Sequence, residues 1–223
     1  MLEGRERVTL LGRISRFRAE AVVAGPPIRR MIVGITGASG TLYGVRVLEM
    51  LRAMKIESHL VISKAGDQTR SLETELSAAA LRALADKVYA PGDVAAAISS
   101  GSFQTMGMIV APCSVRTLSE IATGVTSGLV ARAADVCLKE RRRVVLMFRE
   151  TPLHAGHIKS MLAVTEMGAI VAVPVPAFYA RPRTVDDIVT HSVSRALDLF
   201  GLDTKGFPRW TGPSGLARRR RGK

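Results

Sequence analysis

Five short apolar runs, at residues 31–36, 58–62, 107–111, 143–148 and 169–173, recur along the chain with longer helical stretches between them. Nothing else in the sequence restricts the fold so tightly. Short apolar runs of this kind read as strands buried on both faces. Strands that alternate with helices build a parallel sheet covered by helices. The helical stretches fall at 41–54, 75–86, 115–138 (broken near Gly124 and Gly128), 154–167 and 184–200. In the last, Val185, Ile188, Val189, Val193, Leu197 and Leu199 give an apolar stripe, and Asp186 and Asp187 lie in the first turn, where the helix dipole favours them. The expectation is a single-domain α/β fold.

Charge is the abnormal quantity. With 32 Lys+Arg against 19 Asp+Glu the 223 residues carry +13, which first suggests nucleic acid or an anionic membrane. The excess is mostly terminal, however. Residues 1–30 hold seven Arg and three Glu, and Arg218, Arg219, Arg220, Arg221 and Lys223 add +5, so 31–217 keep an ordinary +4. Residues 1–30 therefore read as a dispensable basic extension, 31–210 as the working domain starting at Met31, and 211–223 as an Arg-rich tail. Nucleic acid is not an expected partner of the domain. The N-terminal segment lacks the apolar core and cleavage site of a secretory signal, and its Glu residues argue against a transit peptide. No apolar run reaches the roughly 18–20 residues of a membrane span. Cys113 and Cys137 make neither a disulfide framework nor a zinc cluster. A cytoplasmic protein is expected.

Ligands of open α/β sheets bind beyond the carboxyl ends of the strands, so the informative segments are 37–41, 63–69, 112–117 and 149–154. In the first, Gly34, Gly37 and Gly40 are spaced G-x-x-G-x-x-G. Small residues there let backbone N–H groups approach an anion at a helix start; the same residues also suit a plain tight turn with Ser39 as N-cap. The spacing is neither the dinucleotide fingerprint nor a Walker loop. The second strand ends at Ser63-Lys64, without the acidic residue that holds a nicotinamide ribose. A mononucleotide such as FMN fits better than NAD or ATP. In the third segment Pro112 ends the strand, and Ser114 and Thr117 offer donors at a helix start. Cys113 reads as a buried structural thiol. Ser99–Phe103 is a polar stretch able to close over a ligand. Arg149-Glu150 at the fourth strand end combines an anion clamp with a proton carrier, or else forms a structural ion pair. His154 and His157 read as solvent-facing or capping rather than metal ligands.

These segments fall in the order of one family. Gly37-Ala38-Ser39-Gly40, Ile62-Ser63-Lys64-Ala65, Glu73-Thr74-Glu75, Ser100-Gly101-Ser102-Phe103, Ala111-Pro112-Cys113-Ser114, Arg132-Ala133-Ala134-Asp135-Val136, Leu138-Lys139-Glu140-Arg141-Arg142, Arg149-Glu150-Thr151-Pro152-Leu153-His154, Pro176-Ala177-Phe178-Tyr179 and Pro208-Arg209-Trp210 together resemble the UbiX-type flavin prenyltransferases. The likeness runs from Met31 to about Trp210. It implies a three-layer αβα, Rossmann-like (flavodoxin-like) subunit in a homododecamer with sites shared between neighbours. It also implies transfer of a dimethylallyl group from dimethylallyl phosphate to N5 and C6 of reduced FMN, without a metal. The product, prenylated FMN, would serve a UbiD-type decarboxylase, for instance in ubiquinone biosynthesis.

On that resemblance, Gly37, Ala38, Ser39, Ser63, Ser114, Val115, Arg116, Thr117 and Arg149 would contact FMN. Tyr179, Arg195, Arg132 and Lys139 would hold the prenyl donor, and Ser39, Glu73, Lys139 and Glu150 would take part in catalysis, the two glutamates by moving protons. The nearest rival is the FMN-dependent decarboxylase class of phosphopantothenoylcysteine decarboxylase. It carries Asn where this chain has Arg116. A non-catalytic flavin carrier is the other rival, and it would have no use for the Lys139, Arg149, Glu150 and Tyr179 set.

Overall fold

The central strands set the frame. Strand β1 (Arg30–Ile35) runs parallel to β2 (Glu57–Ile62), in register from Arg30↔Glu57 to Ile35↔Ile62. On its other side lies β4 (Gly107–Cys113). The computed structural model describes residues 28–205 together with Phe207, Arg209, Trp210 and Gly212. The extension up to residue 27 and the Arg-rich tail expected from the sequence lie outside the described residues. The sheet is completed by β3 (Lys87–Tyr89), β5 (Arg143–Phe148) and β6 (Ile170–Val171), in the order β3-β2-β1-β4-β5-β6 with every pair parallel.

The helices form two layers. Helices α1 (Thr41–Ala53), α3 (Ala78–Arg82) and α7 (Val185–Asp198) bury Val47, Leu48, Leu51, Leu81, Val193 and Leu197 against one face of the sheet. On the other face α4 (Val115–Thr123), α5 (Leu129–Lys139) and α6 (Ala155–Glu166) bury Leu118, Ile121, Leu129, Val130 and Val164. The central strands are apolar on both faces because both are covered, and each large side chain so buried contributes about 1.5–3 kcal/mol. This is the αβα arrangement the sequence led us to expect, with the break at Gly124 in place: that residue caps α4 at φ 71°.

Three details differ. Helix α2 (Lys64–Glu73) occupies a stretch read as a loop. It has almost no apolar stripe, since Leu72 is exposed, so hydrophobic periodicity could not reveal it. The helix expected over 75–86 shrinks to α3, and β3 is a three-residue edge strand too short to stand out. Pro112 does not end its strand. Pairing shifts register between Val110 and Cys113 and resumes at Cys113↔Phe148. The strand survives because Pro112 still offers its carbonyl, which accepts from the Thr36 N–H and hydroxyl.

Candidate active site

The chain leaves β1 for β2 on one side and reaches β4 on the other, so the order reverses between β1 and β4. At such a switch point the loops diverge and a crevice opens above the strand ends. Here it is a cleft of about 740 Å³. Gly37, Ala38 and Ser39 follow β1, Ser63 follows β2, Ser114 to Thr117 follow β4, and Arg149 and Glu150 follow β5; all of them line it. The side wall comes from the start of α5, including Gly128, Val130 and Ala131, and from Pro91 and Gly92 after β3. These wall positions carry no chemical signature and were not read from the sequence.

Thr36 is a further determinant that sequence inspection missed. Its side chain is buried (1% exposed). The hydroxyl donates to the Pro112 carbonyl at 2.8 Å and accepts from the Ser114 N–H at 2.8 Å, tying the ends of β1 and β4 together. This link fixes the floor of the cleft between the first and third loops.

Two helix starts face the cleft. Ser63 caps α2, accepting from the Gly66 N–H at 3.0 Å, and Ser114 caps α4, accepting from the Thr117 N–H at 3.3 Å. The Ser63 hydroxyl keeps its own proton to donate, the Ser114 hydroxyl turns its proton to Thr117 Oγ1 at 3.2 Å, and the first-turn N–H groups of a helix have no partner within it. With the dipoles aligned the same way, the two N-termini make a receptor for phosphate. Gly37 lets the first loop lie against α2, since a Cβ there would stand 2.4 Å from the Ala65 Cβ. Arg149 adds a full charge. Among the described residues it forms no ion pair, and the Glu150 carboxylate accepts instead from the Thr151 N–H at 2.9 Å. The structural Arg149–Glu150 pair considered from sequence is therefore absent.

The third helix start, at α1, is closed to an outside anion. The Glu73 carboxylate accepts from the Gly40 N–H at 2.9 and 3.1 Å and from the Thr41 N–H at 3.0 Å. Burial pushes this carboxyl up, but bonds from Ser39, Thr41 and Gly40 outweigh it and hold the group below the usual glutamate range. The helix is capped through Gly40 (φ 110°) without a side-chain cap, so Ser39 is not the N-cap its position suggested. Phosphate is excluded there because the chain supplies its own carboxylate.

Other expected residues are not brought to this cleft within one chain. Arg132 follows the lining residue Ala131 but pairs with Asp135 at 2.6 Å. Lys139 ends α5 and pairs with Glu140 at 2.5 Å, near the strand starts rather than the strand ends. The Ser99–Phe103 stretch lies there too, held by Arg142 through the Gly101 and Phe103 carbonyls, and does not line this cleft. Tyr179 and Arg195 sit against α7, Tyr179 bonded to His191 and Arg195 to Asp198. Burial pushes the Cys113 thiol far up and the Cys137 thiol up to about 11; Cys113 is the buried thiol expected, and Cys137 is buried too. His154 caps α6 by accepting from the Gly156 N–H at 3.0 Å. Among the described residues no three side chains are grouped to hold a metal.

Comparison with known proteins places this geometry. Residues 25–197 match the Flavoprotein family. Flavin prenyltransferase UbiX of Neisseria meningitidis serogroup B is 55% identical over 185 residues, covering 83% of this chain and 98% of that protein. The crystal structure of AnUbiX in complex with FMN and dimethylallyl pyrophosphate superposes with a TM-score of 0.82 at 49% identity, over 83% of this chain and 99% of the other. A dodecameric FMN-dependent UbiX-like decarboxylase from Escherichia coli O157:H7 gives a TM-score of 0.80 at 53% identity, over 82% and 100%.

Proposed function

The chain belongs to the UbiX-type flavin prenyltransferases, and we propose that it joins the dimethylallyl group of dimethylallyl phosphate to reduced FMN bound in the switch-point cleft. The observation that supports this most is the cleft itself. One chain gathers there every position expected to contact the flavin, between two helix starts and an unpaired arginine. The residues fit a flavin mononucleotide: the helix starts and Arg149 suit its phosphate, and Gly37 lets the first loop close against α2 beside them.

When bound, reduced FMN would supply N5, which replaces phosphate on the five-carbon unit, and C6, which closes the fourth ring by adding across that unit's double bond as the alkene takes up a proton and C6 gives one up. The chain's part is to bind, to stabilise the departing phosphate and to move protons. Arg149 at the strand ends meets the first need and, with Lys139, Tyr179 and Arg195, the second. Cations in a water-poor site stabilise charge that develops on a leaving group. Glu150 sits on the cleft wall with its carboxylate held only by its neighbour's N–H, free to carry a proton. Glu73 is better suited to hold the Ser39 hydroxyl in place than to accept a proton itself, since its carboxylate is already satisfied by three donors.

Lys139, Tyr179 and Arg195 lie outside the cleft of their own chain, so the complete site takes them from neighbouring copies in a homododecamer. The product serves a UbiD-type decarboxylase. No helix among the described residues is long and apolar enough to cross a membrane, and we place the enzyme in the cytoplasm. The test is anaerobic incubation with reduced FMN and either dimethylallyl phosphate or the pyrophosphate ester, then mass analysis of the flavin. One added prenyl unit is expected with the monophosphate. Unmodified flavin with both donors, from folded protein that binds FMN, overturns the reading.

A further inference from the structure

The seat of Tyr179 holds a group that this reading does not use. His191 on α7 is 8% exposed, and its Nε2 lies 3.2 Å from the Tyr179 hydroxyl. The rings meet edge to face at 5.8 Å. Phe207 covers the imidazole edge-on at 4.6 Å, and Trp210 packs on the Tyr179 ring at 5.7 Å. That covering segment is tied down by Arg209, which makes two bonds of 2.8 and 2.9 Å to Asp198. Arg195, one turn beyond His191, shares the same carboxylate at 2.7 Å.

A buried imidazole bonded to a phenol decides where the phenolic proton points. With Nε2 bare, Tyr179 donates to it and an incoming anion meets only lone pairs. With Nε2 protonated, the imidazole donates to Oη and the Tyr179 proton is left for the anion. We propose that His191 is a positioning residue for the prenyl donor: by donating from Nε2 it turns the Tyr179 hydroxyl toward the donor phosphate beside Arg195. The proposal rests on the reading that Tyr179 and Arg195 hold that phosphate.

The surroundings suit the role. Burial first, and then Arg195, hold the imidazole below the ordinary histidine range, against Asp198. The guanidinium-bearing residues Arg181 and Arg183 line a pocket of about 200 Å³ beside it, and Asp187 in the same wall is committed to the Arg183 and Thr184 N–H groups. A neutral imidazole among cations favours a bound anion without itself adding a buried charge. The anion in turn selects the tautomer that leaves the Tyr179 proton free.

His191→Leu removes the donor and is expected to raise KM for dimethylallyl phosphate about tenfold, the factor of one lost hydrogen bond to a charged group. FMN affinity should stay near the original value, while kcat should fall alongside the rise in KM, because the departing phosphate gathers charge against the same hydroxyl in the transition state. His191→Gln, whose amide can donate to Tyr179, is expected to restore KM. Tyr179→Phe should raise KM by a similar factor, and adding His191→Leu to it should change nothing more. Should the leucine variant fail to bind FMN, His191→Asn, with an amide too short to reach Tyr179, takes its place with the same expected rise. An unchanged KM, a glutamine variant as poor as leucine, or additive effects with Tyr179→Phe each overturns the proposal. An unchanged KM in Tyr179→Phe alone shows instead that the donor is held elsewhere, and the role of His191 falls with that premise.

Discussion

The residues proposed for function fall into two sets, and the two are built in opposite ways. The cleft set comes from positions far apart in sequence, yet every member sits at a strand-to-helix junction, and a parallel sheet delivers all such junctions to one edge. The other set, Lys139, Tyr179 and Arg195, comes from a helix end near the strand starts and from the surface of α7. Nothing in one subunit's topology collects these. On the proposed function, the contrast means that one chain forms its nucleotide cleft by itself, whereas the second anion site would take residues from another copy.

The largest effect breaks or sharpens this contrast directly. Lys139→Ala and Glu150→Gln are each expected to keep FMN bound and to lower turnover by about 10²-fold or more. If the cleft of one copy works with Lys139 of another, co-expressing the two inactive chains rebuilds some sites with both groups intact. Random assortment in a symmetric oligomer gives about a quarter of them. Recovery of prenylated flavin in the mixed assembly, measured against each homogeneous variant, checks the sharing. If mixing restores nothing, both residues act within one chain and the contrast fails.

A smaller effect tests whether the cleft is as self-contained as its topology implies. Gly37→Ala places a Cβ 2.4 Å from the Ala65 Cβ, so the first loop must back away from α2. The expected results are a loss of about 1–3 kcal/mol in stability and FMN binding weakened about tenfold or more. Removing the obstacle with Ala65→Gly should recover most of the binding. Titration of FMN fluorescence against the three variants reads this out, and a Gly37→Ala chain with original affinity would show that the close approach is not needed.

The two sets also differ in how far the sequence exposed them. Central strands declared themselves by unbroken apolar runs, Ser63 and Arg149 by following those runs at once, and Ser114 by standing where the next helix begins. Helix α2 stayed hidden because it buries almost nothing, leaving only Ser63 as a cap signal and Asp67 in its first turn. Thr36 stayed hidden because a threonine after a strand is commonplace until Pro112 and Ser114 are seen beside it. The family strings contained Lys139 and Tyr179 and the resemblance added Arg195, but only the fold could show that they lie away from the cleft. His191 had no signal at all, since one histidine in an amphipathic helix acquires meaning only from the tyrosine it touches.

The smallest effect concerns Glu73, which belongs to neither set cleanly. The resemblance implied a proton carrier; in the structure its carboxylate accepts from the N–H groups at the start of α1 and from Ser39. A carboxylate more acidic in the folded than in the unfolded chain stabilises the fold fully above the ordinary glutamate value of about 4.3. It gives that stability up as pH falls through its depressed folded value. Glu73→Gln keeps an acceptor oxygen but loses the charge at the helix start, so it should cost about 1 kcal/mol at neutral pH. In thermal or urea melts the gap between the two chains should narrow as acid removes the same charge from the original chain. Turnover of Glu73→Gln should fall only several-fold, far less than that of Glu150→Gln. A capping carboxylate orders the cleft, and an amide of the same shape preserves most of that order. If the melting gap is the same at every pH and turnover drops as steeply as in Glu150→Gln, then Glu73 is a proton carrier after all and the cleft contains two.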